Sequence, residues 1–234
     1  MKPPRAIVVS GGTGALGRAV VRAALDAGSR VAVPYRSVTE WQSLRDETRD
    51  EGRLFGAAAD LADAAAARSF VEAAAAACGG LDGMAALAGA YAGSGPFEAA
   101  PAEEWARMLE TNLTTVASLC RAALPHLLKG GGSVVTVGSR TAEAGGAGAA
   151  AYAVSKMGVI ALTRALAAEN RTRGVRFNCV SPGTIDTAAN RAAMPNADRS
   201  QWTPPASIAR LVLYLLSPDS APTTGAIVPV DGRG

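Results

Sequence analysis

Histidine, cysteine, lysine and aromatic residues are all scarce in this 234-residue chain, and each scarcity excludes something. His126 is the only histidine, which rules out a multi-histidine metal site. Cys78, Cys120 and Cys179 are odd in number, far apart and in no CxxC pair. They read as reduced structural thiols of a cytoplasmic protein, not as a disulfide framework. Aromatics make up 5% of the residues and alanine dominates the apolar 49%, a balance that favours close-packed helices over a β-sandwich. The first apolar run, Ala6–Val9, is too short for a signal-peptide core, and no later stretch reads as a membrane span. The net charge is +3, but the arginines are scattered singly. A nucleic-acid partner would call for a clustered basic face, and none is visible.

What the chain does contain is a strand–helix alternation. Short apolar runs at Arg5–Ser10, Arg30–Pro34, Arg53–Ala58, Gly83–Leu87, Ser133–Val137, Val175–Val180 and Ala226–Val230 predict seven strands. Helices are predicted over Ala15–Ala27, Glu40–Glu51, Ala62–Cys78, Pro101–Leu128, Ala149–Arg173 and Ile208–Leu216, several of them closed by glycine. Nearly continuous apolar strands joined by helices imply a parallel sheet covered on both faces, hence a doubly wound α/β (Rossmann-type) fold. No linker, repeat or second domain interrupts residues 1–234. Two irregular segments, Ala90–Ala100 and Thr184–Pro205, follow strands and therefore belong at the carboxyl edge, where such sheets bind ligands.

Three features give that edge a chemistry. The run Ser10-Gly11-Gly12-Thr13-Gly14-Ala15-Leu16-Gly17 lies between the first strand and first helix, where glycines admit a diphosphate to a helix N-terminus. A carboxylate that would hold the ribose hydroxyls of NAD is absent after the second strand. Arg36 stands there instead and could pair with a 2′-phosphate, so NADP(H) is the expected cofactor, with NAD(H) as the alternative. Finally, Tyr152 and Lys156 are four residues apart on one helix face, with Ser139 at the end of a strand upstream. Only three of the 23 basic residues are lysine, and lysine is the cation whose pKa responds to burial. A phenol beside an ammonium is expected to be acidified and to exchange a proton with a carbonyl oxygen.

Along essentially its whole length the chain resembles the short-chain dehydrogenase/reductase family. Ser10–Gly17 is similar to the family's TGxxxGxG, with Ala15 at the middle glycine. Ala86-Leu87-Ala88-Gly89 stands in the place of NNAG without either asparagine. Thr111-Asn112-Leu113, Ser139, Tyr152 and Lys156 resemble the tetrad, Ser181-Pro182-Gly183-Thr184-Ile185-Asp186-Thr187 the nicotinamide-side PG motif, and Val230-Asp231-Gly232 the terminal signature. The resemblance implies Asn112, Ser139, Tyr152 and Lys156 as catalytic residues, Asn112 through a relay water. It also implies cofactor contacts from Gly11, Thr13, Gly14, Ala15, Leu16, Gly17, Arg36, Asp60, Leu61, Ala88, Gly89, Tyr152, Lys156, Pro182, Gly183, Ile185 and Thr187. A homodimer or homotetramer assembled through the two long helices and the last strand is implied as well.

The glycine turn and the segment Met194–Pro204 further resemble dihydropteridine reductase, which makes Met194 and Trp202 candidates for a substrate lid over about residues 184–205. The expected activity is hydride transfer between a nicotinamide cofactor and a small carbonyl or alcohol, with no metal. A pterin reductase and a non-catalytic dinucleotide sensor are the alternatives.

Overall fold

The computed structural model describes residues 2–49 and 52–232. Seven strands, β1 (Ala6–Ser10), β2 (Arg30–Tyr35), β3 (Leu54–Ala58), β4 (Gly83–Ala86), β5 (Gly132–Val137), β6 (Val175–Pro182) and β7 (Ile227–Val230), form one sheet. Their order is β3-β2-β1-β4-β5-β6-β7 and every pairing is parallel. This is the expected doubly wound fold.

Successive strand residues point to opposite faces, and the core divides accordingly. Ala6, Val8, Ala32, Met84, Val134 and Phe177 pack with helices α3 (Ala64–Cys78), α5 (Thr115–Leu127) and α7 (Ala150–Asn170). Ile7, Val9, Val31, Val33, Ala85, Val135 and Val180 pack with α1 (Ala15–Asp26), α2 (Val38–Thr48) and α9 (Pro205–Leu216). α7 is long and apolar enough by composition to cross a membrane, but here it packs on β5 and β6.

Several boundaries differ from the sequence reading for local reasons. α2 starts at Val38, two residues early, because the Ser37 hydroxyl caps it by accepting from Glu40 N at 3.2 Å. It ends at Thr48, while the predicted end at Glu51 lies outside the described residues. The predicted helix Pro101–Leu128 is α4 (Ala102–Leu109) and α5 joined by a π-helical turn, Glu110–Thr114. β6 runs on through Pro182 because Ser181 and Pro182 pair with Pro229 and Val230 of β7. Two short helices are additional: α8 (Ala188–Ala193) lies in the segment read as irregular, and α6 (Arg140–Glu143) in the connection after β5, to which no element was assigned. Each begins at a hydroxyl cap, Ser139 for α6 and Thr187 for α8.

The strand order reverses between β1 and β4, so the connections leaving these two strands diverge and open a crevice at their carboxyl ends. Residues beyond β1, β2, β4, β5 and β6 all reach it.

Candidate active site

The crevice is a cleft of about 1040 Å³. Its floor is the turn between β1 and α1. Gly11 has φ +67° and an added Cβ would stand 2.9 Å from the Ala88 backbone, so the turn packs directly on the strand β4 connection. At Gly17 a Cβ would lie 2.0 Å from Gly11 O, which forces glycine in the first turn of α1. Ala15 is exposed in that turn with ordinary backbone angles, so its methyl group is accommodated. α1 has no side-chain cap, and Gly14, Ala15, Leu16 and Gly17 line the cleft. Its first backbone N–H groups are therefore donors in want of an acceptor, beside a surface stripped of side chains. That cradle fits a dinucleotide diphosphate.

Without the NNAG asparagines, the chain after β4 is held by other side chains. Ser10 Oγ accepts from Ala88 N at 3.2 Å. Asn112, fully buried in the π-helical turn, accepts from Ala90 N at 2.8 Å and donates to Ala90 O at 3.0 Å and to Ser155 Oγ at 2.9 Å. Both amide protons are thus committed to protein atoms, and Asn112 does not line the cleft. Its side chain fastens the segment after β4 to α7.

At the end of the cleft formed by the β2 and β3 connections, Tyr35 stacks on Trp41 with centroids 5.2 Å apart, and Trp41 lies over Gly56, where a Cβ would be 2.4 Å from its ring. This fixes the exit of β2, so that Arg36 projects along the cleft with Asp60 and Leu61 from the β3 connection.

At the other end, β5 delivers Ser139 and α7 delivers Tyr152 and Lys156 to the same wall. Ser139 is the cap of α6, its Oγ accepting from Ala142 N at 3.4 Å. Lys156 is buried and donates to Val137 O at 3.1 Å. Burial pulls its ammonium down to about 8, against an opposing pull from Cys179. Tyr152 is half-buried, with Tyr91 edge-on at 4.9 Å. Burial raises its pKa above 10.0; the Ser139 hydroxyl works against the shift and Tyr91 adds to it. This corrects the expected acidification: in the protein alone desolvation outweighs any help from Lys156, which bonds a backbone carbonyl.

Ala88, Gly89, Pro182, Gly183, Ile185 and Thr187 complete the lining on this side, with Met194 above them. Trp202 does not line the cleft. It is 7% exposed, with the Arg199 guanidinium 5.8 Å from its ring centre. The chain about it is pinned by the Ile185–Thr203 bridge and by Gly232 N donating to Thr203 Oγ1 at 2.9 Å. Val230-Asp231-Gly232 thus anchors the end of segment 184–205, helped by Arg140 Nε on Asp231 at 3.2 Å. Sequence reasoning passed over Tyr91 and Glu40, both of which line the cleft. Tyr91 stood in a segment already marked as irregular at the carboxyl edge. Glu40 stood three residues after Ser37, a helix-start signature that went unused.

Comparison with known proteins agrees with this geometry. The family described as Enoyl-(Acyl carrier protein) reductase matches residues 12–232. A 3-oxoacyl-[acyl-carrier-protein] reductase FabG of Vibrio cholerae is 30% identical, covering 96% of this chain and 95% of its own length. Carbonyl reductase family member 4 of Danio rerio is 31% identical, covering 97% of each chain. Among solved structures, levodione reductase superposes with a TM-score of 0.90 at 27% identity, covering 97% of this chain and 96% of its own. The chain belongs to the short-chain dehydrogenase/reductase family of oxidoreductases.

Proposed function

We propose that the protein transfers hydride between a nicotinamide dinucleotide and a small carbonyl or alcohol, with Tyr152 as the general acid and base and NADP(H) as the preferred cofactor. The observation that carries this reading is one continuous cleft. It has an uncapped helix N-terminus on a glycine floor at one end, and Ser139, Tyr152 and Lys156 on one wall at the other.

The cofactor, when bound, supplies the hydride. The protein's part is binding, orientation and the proton. Backbone N–H groups of Ala15, Leu16 and Gly17 would hold the diphosphate, the Gly14 N–H being taken by Gly11 O at 3.0 Å; Asp60 and Leu61 would flank the adenine, and Arg36 would meet a 2′-phosphate. Lys156 would reach the nicotinamide ribose. Pro182, Gly183, Ile185 and Thr187 would line the nicotinamide pocket.

A carbonyl oxygen that accepts hydride builds negative charge, and Ser139 Oγ would donate a hydrogen bond to it. Tyr152 would deliver the proton from its hydroxyl. The high pKa of the phenol in the protein alone keeps that proton in place, and positive charge arriving in the cleft lowers its cost of transfer. Asn112 contributes by holding Ala90 and α7 in register, with both of its amide protons already committed to protein atoms.

Relatives differ widely in what their names say they act on. Among them are a 4-formylbenzenesulfonate dehydrogenase of Comamonas testosteroni and a D-threitol dehydrogenase of Mycolicibacterium smegmatis. The class of reaction therefore travels further than the substrate. A homodimer or homotetramer is part of the proposal, supported by Trp105, Val154 and Met157, which are exposed on α4 and α7. Buried free thiols at Cys78, Cys120 and Cys179 support a cytoplasmic setting.

The test is cofactor oxidation, with NADPH and NADH in parallel, against ketones, aldehydes, a 3-oxoacyl thioester and quinonoid dihydropterin. Turnover of a carbonyl compound with NADPH favoured is the expected result. Turnover of the dihydropterin alone would transfer the assignment to a pterin reductase. Tight cofactor binding with no turnover of anything would make the chain a sensor.

A further inference from the structure

The adenosine end of the cleft holds a negative charge that the reading above does not use. Glu40 is exposed and lines the cleft beside Arg36, Ser37 and Thr13. It is the third residue of α2, and Ser37 caps that helix. A Ser-x-x-Glu start usually closes on itself, the glutamate returning to the N–H of the cap residue. Here Glu40 Oε2 accepts from Thr13 Oγ1 at 3.0 Å, so the carboxylate is drawn across to the glycine turn. Arg18 braces both ends of this bridge without neutralising it. Its Nε donates to Thr13 O at 2.8 Å and one terminal nitrogen to Glu40 O at 3.1 Å, while the other pairs with Glu47 at 2.6 Å. Oε1 of Glu40 has no hydrogen bond among the described residues and remains available as an acceptor.

We infer that Glu40 is a second specificity-determining residue for the cofactor, opposing Arg36: it disfavours a 2′-phosphate and favours a 2′-hydroxyl. This rests on the reading of the cleft as a dinucleotide site. A carboxylate and a phosphate at the same end of an open cleft repel. Across several ångströms of water at moderate salt the effect on affinity is about three- to tenfold. A ribose hydroxyl can instead donate to Oε1. The discrimination between the two cofactors is then narrower than Arg36 alone would set.

The experiment is calorimetric titration of NADP+ and NAD+ into the full-length wild type, Glu40→Gln and Arg36→Ala. Glutamine keeps an acceptor for Thr13 and removes only the charge. The expected result is NADP+ binding tightened by about three- to tenfold in Glu40→Gln, NAD+ unchanged or weaker, and the gain shrinking in 0.5 M salt. Unchanged or weaker NADP+ binding overturns the inference, and so does an equal gain for both nucleotides, which would report a general loosening. Loss of NADP+ affinity in Arg36→Ala supports the opposing role of Arg36, and no change there removes that half alone. Wild-type protein that binds neither nucleotide overturns the dinucleotide reading itself, and the inference with it.

Discussion

Asn112 grips both polar groups of Ala90, accepting from its N–H at 2.8 Å and donating to its carbonyl at 3.0 Å. Asn112 itself is fully buried while Ala90 lies at the surface, and a third, buried bond, to Ser155, ties the pair to the helix that carries Tyr152 and Lys156. A π-helical turn is where an extra residue is accommodated in a helix, and such turns mark sites where a side chain must be re-aimed. Replacing Asn112 by leucine keeps the approximate volume but removes the partner of the buried Ser155 Oγ and frees Ala90 from α7. The expected cost is about 1–3 kcal/mol in urea denaturation, with turnover lowered because the cleft wall loosens. Stability within about 0.5 kcal/mol of wild type would show that the clamp is dispensable.

Tyr152→Phe separates proton transfer from binding. The ring remains against Tyr91 and only the hydroxyl is lost. Turnover should fall by about 10²–10⁴-fold, while cofactor affinity measured by calorimetry stays within about twofold. Near-normal turnover in this variant would sink the proposed mechanism.

The glycine floor makes a prediction that does not depend on substrate. At Gly17 an added Cβ would meet Gly11 O at 2.0 Å and Gly12 Cα at 2.6 Å, both backbone. Gly17→Ala must therefore push the turn away from α1. It is expected to cost about 2–4 kcal/mol in thermal or urea unfolding and to weaken cofactor binding at least tenfold. Gly14→Ala is the control. Its Cβ would sit 3.4 Å from Gly11 O in an extended cap conformation, and little change in stability is expected. Equal behaviour of the two variants would mean that the turn yields more readily than its contacts imply.

Much of this architecture was legible in the sequence because it rests on local pattern. The alternation of apolar runs and helices fixed the order of elements, and the glycine turn after β1 located the cleft floor. What was illegible depends on contacts distant in sequence. The π-helical turn exists where Asn112 meets Ala90 and Ser155, 22 and 43 residues away, which no periodicity announces. Trp202 sits away from the cleft because Thr203 is tied to Ile185 and Gly232. The upward shift of Tyr152 follows from burial, which the four-residue spacing to Lys156 does not reveal. The start of α2 is a different case, since Ser37 and Glu40 were in plain view as a cap signature.

Lys156 supplies a test of burial by pH. Its ammonium is pulled from 10.5 to about 8 in the folded protein. Between those values the unfolded chain holds the proton more firmly than the folded one, so stability rises with pH across the window. Below about pH 8 both states are protonated, and the full penalty of the buried charge is present. Lys156→Met lacks this titration, while the thiols and phenols that titrate at alkaline pH are common to both proteins and, apart from Cys179, whose charge couples to Lys156, cancel in the difference. The stability of wild type relative to Lys156→Met should therefore climb by about 2–3 kcal/mol from pH 7 to pH 10 in urea denaturation, at about 1.4 kcal/mol per unit of pKa displacement. A flat difference across that range would mean that the ammonium is solvated in the folded state, and that the wall carrying Tyr152 is more open than its burial indicates.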